Sequence, residues 1–540
     1  MAVDLLIIGS GVAATALAQV KLTANPNASI LILEAGTRVK TKDFGLWENY
    51  LVSGNLPYDQ YKDLPYPQKD SKGENMSVGG TELPLSGARV LTYGGSTIHW
   101  GGWSFRLKPE DFELKTRTGE CLDWPFGYAV LEPFYTRAEK YIGVSGDSAD
   151  PTVWRSQDYP FPAFPYTLED KPLADALKAL EIEFSHLPIA RHGVTNTTSK
   201  QAPCQTTGTC KYCPFGARYA ATNFLNDMVQ WNDYPNFEVR TETVVDALLM
   251  GAKNRVTGVQ VRRREGAVET SEIIEASQVV VAAGAIESAK LLQRSTSSDW
   301  PTGVGNASDQ VGRYLVTHPY FNFKGTISTN PDKLQKEMDF PTLVSRHFDS
   351  IAEQKAGKFI LVNPPDSFDP GLVGKMRKGL DRAALDRELL GQQVISIQGM
   401  LEVFGRATNS VSNSPEKNRL GMLQSSVNYT KDAGFDGRMD KIQVQVEAIF
   451  GKMSVASLGK PTISWRADHA GSTCRMGTDP AVSVVDSDLK VHGVDNLYVC
   501  SNGVFPNIGA VNPTLTLTAL AIRLGDHLNA KEAGAANDVR

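Results

Sequence analysis

The feature that most constrains the fold is the opening stretch VDLLIIGSGVAATALAQVKL, an apolar run that is broken by glycines and continues in small residues. Val3 to Ile8 has the length and composition of a strand buried on both faces, the kind found in parallel sheets. Gly9 and Gly11 match the first two glycines of a dinucleotide fingerprint, Ala14 takes the third place, and a helix is expected from about Val12 to Leu22. Glycine permits the tight turn, so a pyrophosphate can approach the helix N-terminus where unpaired N–H groups point outward. SILILEAG supplies a second strand ending in Glu34, 25 residues after Gly9, where a carboxylate can accept hydrogen bonds from ribose hydroxyls. A lone glycine turn also starts ordinary helices, but strand, helix, second strand and acid in this order favour the nucleotide reading.

A later segment, QVVVAAGAIESAKLLQRS, repeats the strand-turn-helix signal, with a strand at Val279–Ala282 and a turn glycine at Gly284. It is expected to return the chain beside the first strand. FEVRTETVVDALLM and NRVTGVQVRRR before it read as hairpin strands, with the backbone around Val244 placed to hold an adenine. VISIQGMLEVFGRATNSVSNS, RLGMLQSSVNYT and KIQVQVEAIF all show strand-like runs, as expected for an antiparallel sheet. Gln398, Met400 and Glu402 share one strand parity there, so each is a candidate substrate contact or a structural residue. Phe44–Pro84 reads as a long excursion or lid, residues 331–391 as a mixed helical insertion, and KEAGAANDVR as a frayed tail. The fold class is therefore α/β, α+β overall: a Rossmann-like nucleotide domain interwoven with a substrate domain on an antiparallel sheet. Residues 1–110, 200–310 and 460–540 are assigned to the first, 111–199 and 311–459 to the second.

GSGVAATALA with Glu34, RVLTYGGSTIHWGG, VVVAAGAIESAKLL, DHAGSTCRMGTDPAVSVVDSDLKVHGVDNLYVCSNGVFP and NPTLTLTALAIRLGDHL together resemble the glucose-methanol-choline (GMC) oxidoreductases, flavin enzymes acting on alcohols. The resemblance fades over about 40–85 and 325–460. It is nearest to the sugar-acting branch of pyranose oxidases, glucoside 3-dehydrogenases and the catalytic subunits of bacterial glucose, fructose and gluconate dehydrogenases. It implies bound FAD and oxidation of a sugar or glycoside hydroxyl, with C3 of glucosides favoured and His469 as base. Asn512 would hold the substrate oxygen, although its place before Pro513 also suits a helix N-cap. Where relatives carry two histidines this chain has His469 and Asn512, which leaves one titrating group. The cofactor contacts it implies are Gly9, Gly11, Ala14, Glu34, Arg89, Gly94, Gly95, Ser96, His99, Val244, Ala283, Asn502, Gly503, Asn512, Pro513 and Thr514. His99 matches the residue that bonds covalently to the flavin in pyranose oxidases; a non-covalent flavin is expected here. Trp100 and Trp103 read as packing.

Three of the six cysteines, Cys204, Cys210 and Cys213, fall within ten residues in CQTTGTCKYCP. The segment resembles the loop that holds an iron–sulfur cluster in the glucose and fructose dehydrogenase subunits, with a shorter last gap. A cluster (3Fe-4S or 4Fe-4S) is the favoured reading, with a zinc site, a disulfide or free thiols as alternatives. Cys121, Cys474 and Cys500 read as buried small hydrophobes. A cluster beside the flavin would pass electrons to a cytochrome or quinone-linked acceptor, making the chain a dehydrogenase. An oxygen-using oxidase, a flavin-bound lyase and a non-catalytic flavoprotein are the alternatives.

Composition narrows the partners. The formal charge is −5 with no long basic run, which argues against nucleic acid, and no apolar run is long enough to span a bilayer. The apolar N-terminus lacks a basic lead and already forms the nucleotide strand, so no signal peptide is read there. The expectation is export to the periplasm with a small signal-bearing accessory subunit, a cytoplasmic enzyme being the alternative.

Overall fold

The computed structural model describes residues 3–39, 44–53, 76–77, 80–85, 88–194, 200–205, 213–230, 234–265, 268–327, 340–353, 357–364, 379, 381, 383–384, 393–418 and 420–538. Two sheets organise them. In the first, β1 (Val3–Ile8) leads through a glycine turn into helix α1 (Val12–Ala24) and back to β2 (Ile30–Leu33), a parallel neighbour of β1. Every residue of β2 and the last four of β1 are buried, which is why the sequence shows continuous apolar runs and no alternation. β3 (Phe237–Arg240) adds to the parallel edge beside β2 and does not form the expected hairpin. That hairpin is made instead by β4 (Thr243–Met250), β5 (Val256–Glu265) and β6 (Val268–Val281), which run antiparallel.

β6 serves two sheets' worth of pairing. Its first half pairs antiparallel with β5; its last residues, Ala276–Val281, run parallel to β1, with Val279–Val281 buried. Helix α2 (Gly284–Arg294) follows at once, and the strand Leu497–Val499 pairs with β6 on its far side. The carboxyl ends of β1, β2 and β6 therefore open at one level, where α/β sheets place their ligands.

The second sheet is antiparallel. β7 (Pro319–Ile327) pairs with β10 (Gln393–Leu401), and the short strands β8 (Leu343–Ser345) and β9 (Phe359–Val362) extend the sheet beyond β10. Of residues 331–391, where a mixed helical insertion is expected, the described part includes two strands, LVS and FILV, which are short, wholly buried apolar runs, and most of the rest lies outside the described residues. KIQVQVEAIF is helical, inside α3 (Phe435–Lys452). Its Val/Gln alternation imitates a strand, yet Ile442, Val446 and Ile449 are buried at helical spacing while Val444 is 64% exposed. α3 covers one face of the sheet, packing near Phe321 and Phe323 of β7 in the second core, and β7 alternates so that Tyr320 and Asn322 take the other parity. β11 (Ala456–Ser457) and β12 (Thr462–Trp465) pair on β7 as well. The last helix, α4 (Thr514–Asp538), continues through most of the segment expected to fray. Most of the expected lid, beyond the helix Phe44–Ser53, lies outside the described residues.

A buried ion cluster ties the loop around residues 94–107 to the helix Tyr128–Ile142. Arg106, 1% exposed, donates to Glu139 at 2.7 and 2.8 Å, to Glu132 at 2.9 Å and to the Tyr128 hydroxyl at 3.1 Å. Burial works against its charge, but the Glu139 bonds outweigh burial and raise the guanidinium above its usual range. The same helix reaches α4 through Tyr135, whose hydroxyl is 2.8 Å from that of Thr516. Arg106→Met takes the guanidinium from two buried carboxylates, leaving Glu139 to Arg155 and Glu132 to Ser156, and is expected to cost about 3–5 kcal/mol. Urea unfolding of variant and parent measures this; an unchanged midpoint would show the cluster to be dispensable.

Candidate active site

A cavity of about 520 Å³ lies at the carboxyl ends of the parallel strands. The turn after β1 makes one wall. Gly9 has φ +101° and a side chain there would stand 2.6 Å from the Ala282 carbonyl oxygen, whereas at Gly11 it would meet nothing within 4 Å. Gly9 is thus required by the approach of β6, and Gly11 leaves α1's first N–H groups facing open space. No side chain caps that helix, so its N-terminus keeps donors for an anion. Ala14 is fully buried and off the cavity, which fits helix-to-strand packing.

Glu34 lines the cavity while Gly36 N–H, at 2.8 Å, and the Ser10 hydroxyl, at 2.7 Å, donate to its carboxylate. Burial pushes its carboxyl upward against these bonds. Ser10 also accepts from Gly94 N–H at 3.0 Å, so it couples the fingerprint to the 94–103 loop. Ser10 went unnoticed in the sequence because the fingerprint leaves that position open. Gly94 itself stands off the cavity, pressed to Thr222, while Gly95, Ser96 and His99 line it. Along β4 the wall is made by Thr243 and Val245, not Val244, since strand parity alternates. Arg89 lines the cavity but is tied to Glu287 at 2.9 Å and Ser425 at 3.2 Å. Burial opposes the charge on Glu287, yet Lys290 and Arg89 bring its carboxyl down to about 2. Ala283, Asn502 and Thr514 line the cavity; Gly503 and Pro513 support it from behind. Oδ1 of Asn502 and Nε2 of His99, both buried and without a partner among the described residues, suit a polar cofactor; burial takes His99 down to about 4.

The reactive end gathers residues distant in sequence. Asn512 Nδ2 is 3.1 Å from His469 Nε2, and the Tyr320 hydroxyl is also 3.1 Å from that nitrogen. All three line the cavity. His469 is held well below the usual imidazole range, first by burial and then by His318 and Arg466. The helix-cap reading of Asn512 falls one residue short: α4 begins at Thr514, and the Pro513 carbonyl accepts its first bond. The amide is therefore free to serve His469. A second histidine corrects the expectation of one titrating group, because His318 Nδ1 lies 2.9 Å from His469 Nδ1. LVTHPY carries no periodic or motif signal for His318 or Tyr320; only β7–β12 pairing brings them to the turn holding His469. Gln398, Met400 and Glu402 do not line the cavity, and Glu402 sits instead in a buried charge cluster with Lys358. Trp100 and Trp103 both line it, Trp100 Nε1 donating to the Tyr219 carbonyl at 2.8 Å.

Of the clustered cysteines, Cys210 lies outside the described residues, and Cys204 and Cys213 carry free thiols. Among the described residues no group of three or more His, Cys, Asp or Glu side chains converges on a metal position. Cys204 Sγ is 3.9 Å from Arg191 Nη1. Cys474 and Cys500 are buried as expected, Cys500 on the cavity wall, while Cys121 is only partly so. No described helix is long and apolar enough to cross a membrane.

Two family models described as GMC oxidoreductase match residues 189–320 and 406–521. The fructose dehydrogenase large subunit of Gluconobacter japonicus is 27% identical over 97% of this chain and 97% of its own length. The 6'''-hydroxyparomomycin C oxidase of Streptomyces lividus is 29% identical over 82% of this chain and 80% of its own. Among solved structures, pyridoxine 4-oxidase from Mesorbium loti superposes with a TM-score of 0.65 at 18% identity, covering 98% of this chain and 99% of that one. The glycine turn, the cavity and the His469–Asn512 pair thus stand on an FAD-binding fold, and the chain carries GMC oxidoreductase domains, those of enzymes that oxidise alcohol groups with FAD.

Proposed function

We propose that this enzyme oxidises a hydroxyl of a sugar or glycoside, and the carrying observation is His469 Nε2 exposed to the cavity between Asn512 Nδ2 and the Tyr320 hydroxyl, each at 3.1 Å. Bound FAD supplies the acceptor for the hydride that leaves the carbinol carbon. His469 Nε2 takes the hydroxyl proton, and loss of proton and hydride together leaves a carbonyl. Asn512 has a second N–H to hold the substrate oxygen, so base and positioning group act on one atom. A polyhydroxylated substrate suits the neighbouring wall. Asp468 presents an Oδ1 without a partner among the described residues, and Arg466, half exposed, lies beside it at 2.9 Å. Burial pushes the Asp468 carboxyl up to about 6, with Arg466 opposing. C3 of a glucoside is favoured on sequence resemblance, and NMR of the product distinguishes a 3-ketone from oxidation elsewhere on the ring or at a primary carbon.

Electrons leave FAD by one of two routes. We favour a dehydrogenase: Cys204, Cys210 and Cys213 would hold an iron–sulfur cluster, which would supply an electron path from FAD to a cytochrome or quinone-linked acceptor. Two observations support it: the close spacing of the thiols, and the relation to a dehydrogenase large subunit along nearly the whole chain. The segment also returns to the cofactor loop, Arg218 donating to the Ile98 carbonyl at 2.8 Å next to His99. On this reading the chain works in the periplasm with a signal-bearing accessory subunit. The relation to an aminoglycoside oxidase supports the second reading, direct oxidation by oxygen.

His469→Ala is expected to slow anaerobic flavin reduction at saturating sugar by at least ~10²-fold with FAD still bound. Asn512→Ala should cost less, since the base remains. Near-normal reduction in His469→Ala would remove the residue from the mechanism, and failure of any sugar or alcohol to bleach the flavin would favour a lyase.

The pH profile has a definite sign. A base works unprotonated, and burial lowers the pKa of His469, so the free base persists to lower pH than an ordinary imidazole. Stopped-flow reduction should stay level as pH falls through about 6.5 and decline only below it. A decline centred at or above that value would contradict a buried neutral base.

Protein purified without oxygen is expected to contain iron, and Cys210→Ser should lose both iron and acceptor reduction while sugar still reduces the flavin. Absence of iron together with one peroxide per sugar would replace the dehydrogenase reading with the oxidase.

A further inference from the structure

We propose that His318 is a positioning residue that selects the tautomer of His469, so that Nδ1 carries the proton and the Nε2 lone pair faces the cavity. The inference rests on the reading of His469 as base. It follows from tracing donors and acceptors inward from the backbone. His318 Nε2 is 2.8 Å from the Gly509 carbonyl oxygen, which can only accept, so Nε2 carries a proton. A neutral imidazole has one N–H; His318 Nδ1 is therefore an acceptor. That acceptor stands 2.9 Å from His469 Nδ1, which must then donate. The proton of His469 is thereby committed to Nδ1, and Nε2 is left with its lone pair between two donors, Asn512 Nδ2 and the Tyr320 hydroxyl, each at 3.1 Å. The Tyr320 hydroxyl is also 3.3 Å from His469 Nδ1, and with that nitrogen committed as a donor the Tyr320 O–H is left to Nε2.

Burial favours the neutral form that this argument uses. His318 is wholly buried, and burial takes it down to about 4, even though the Gly509 carbonyl and Asp349 pull the other way. The perpendicular rings, 85° apart, let the Nδ1 lone pair of one imidazole meet the N–H of the other edge-on. Local structure makes this placement rigid. Val316 and Gly471 exchange backbone bonds, the Thr317 hydroxyl donates to the Arg466 carbonyl at 2.6 Å, and Pro319 pairs with Trp465. His318 is thus clamped against the turn that bears His469. It does not line the cavity and acts only through its neighbour. When Nε2 accepts the substrate proton, Nδ1–H remains bonded to His318, so the resulting imidazolium keeps its partner.

The test is made on the FAD-loaded enzyme labelled with ¹⁵N-histidine, the His469 ring signals being identified by their loss in His469→Ala. The expected result is a protonated Nδ1 and an unprotonated Nε2 in the parent protein, and a shift toward the other tautomer in His318→Leu. His318→Leu should also lower the maximal rate of flavin reduction by about 10–100-fold with little change in KM, and His318→Asn, which restores an acceptor near Nδ1, should recover most of that loss. A proton on Nε2 of His469 in the parent protein would overturn the proposal whether or not the variants fold. An unchanged tautomer and rate in a folded His318→Leu would do the same. Normal reduction in His469→Ala would instead remove the base while leaving the tautomer measurement to stand on its own.

Discussion

The close approach of three strand ends around Gly9 is the constraint on which the rest depends. Gly9 N–H donates to Leu33 at 2.7 Å and Ala282 N–H to Ile8 at 2.8 Å, so β1, β2 and β6 finish at one level with no room for a side chain between them. That contact aims the uncapped start of α1 at the cavity and puts Glu34 and the Ala282–Gly284 turn on its walls. A residue with a Cβ at Gly9 would have to part β1 from β6, and the cofactor walls would separate with them.

Chemistry is added by segments that lie far from this turn in sequence. The reactive cluster takes His318 and Tyr320 from the start of β7, His469 from the turn after β12, and Asn512 from the approach to α4. Each is held by an element whose register is set by packing elsewhere. β7 is anchored by Phe321 and Phe323 in the second core, and α4 by its contact with the helix bearing Tyr135. Burial of this cluster removes water and so favours the neutral form of His469.

Buried charge elsewhere is consistently paired. Arg106 with Glu132 and Glu139, and Arg89 with Glu287, join segments that do not share a sheet, while Lys290 braces Glu287 within α2. Such pairs add little over an apolar core of equal volume, but removing one partner is costly, so they act as locks on register. The polar atoms left without partners among the described residues are informative for the opposite reason. His99 Nε2, Asp468 Oδ1, Asn502 Oδ1 and Asn512 Oδ1 belong to residues of the cavity wall, where a cofactor and substrate can satisfy them.

What the sequence by itself determined was whatever depends on local conformation. The glycine turn, the buried strands β1 and β2, α1 and Glu34 were legible because short-range spacing encodes them, and the pair His469 and Asn512 was legible only through the family resemblance of the segments that carry it. Helix and strand were confused in KIQVQVEAIF, where alternation and helical spacing coexist, and only the burial of Ile442, Val446 and Ile449 against the second sheet decided between them. Parity along β4 was missed by one residue, since a strand's facing depends on its neighbours. His318, Tyr320 and Ser10 could not be read at all. Their roles arise from β7 pairing with β12 and from a loop 84 residues away closing on Ser10, and contacts across such separations leave no local pattern in the chain.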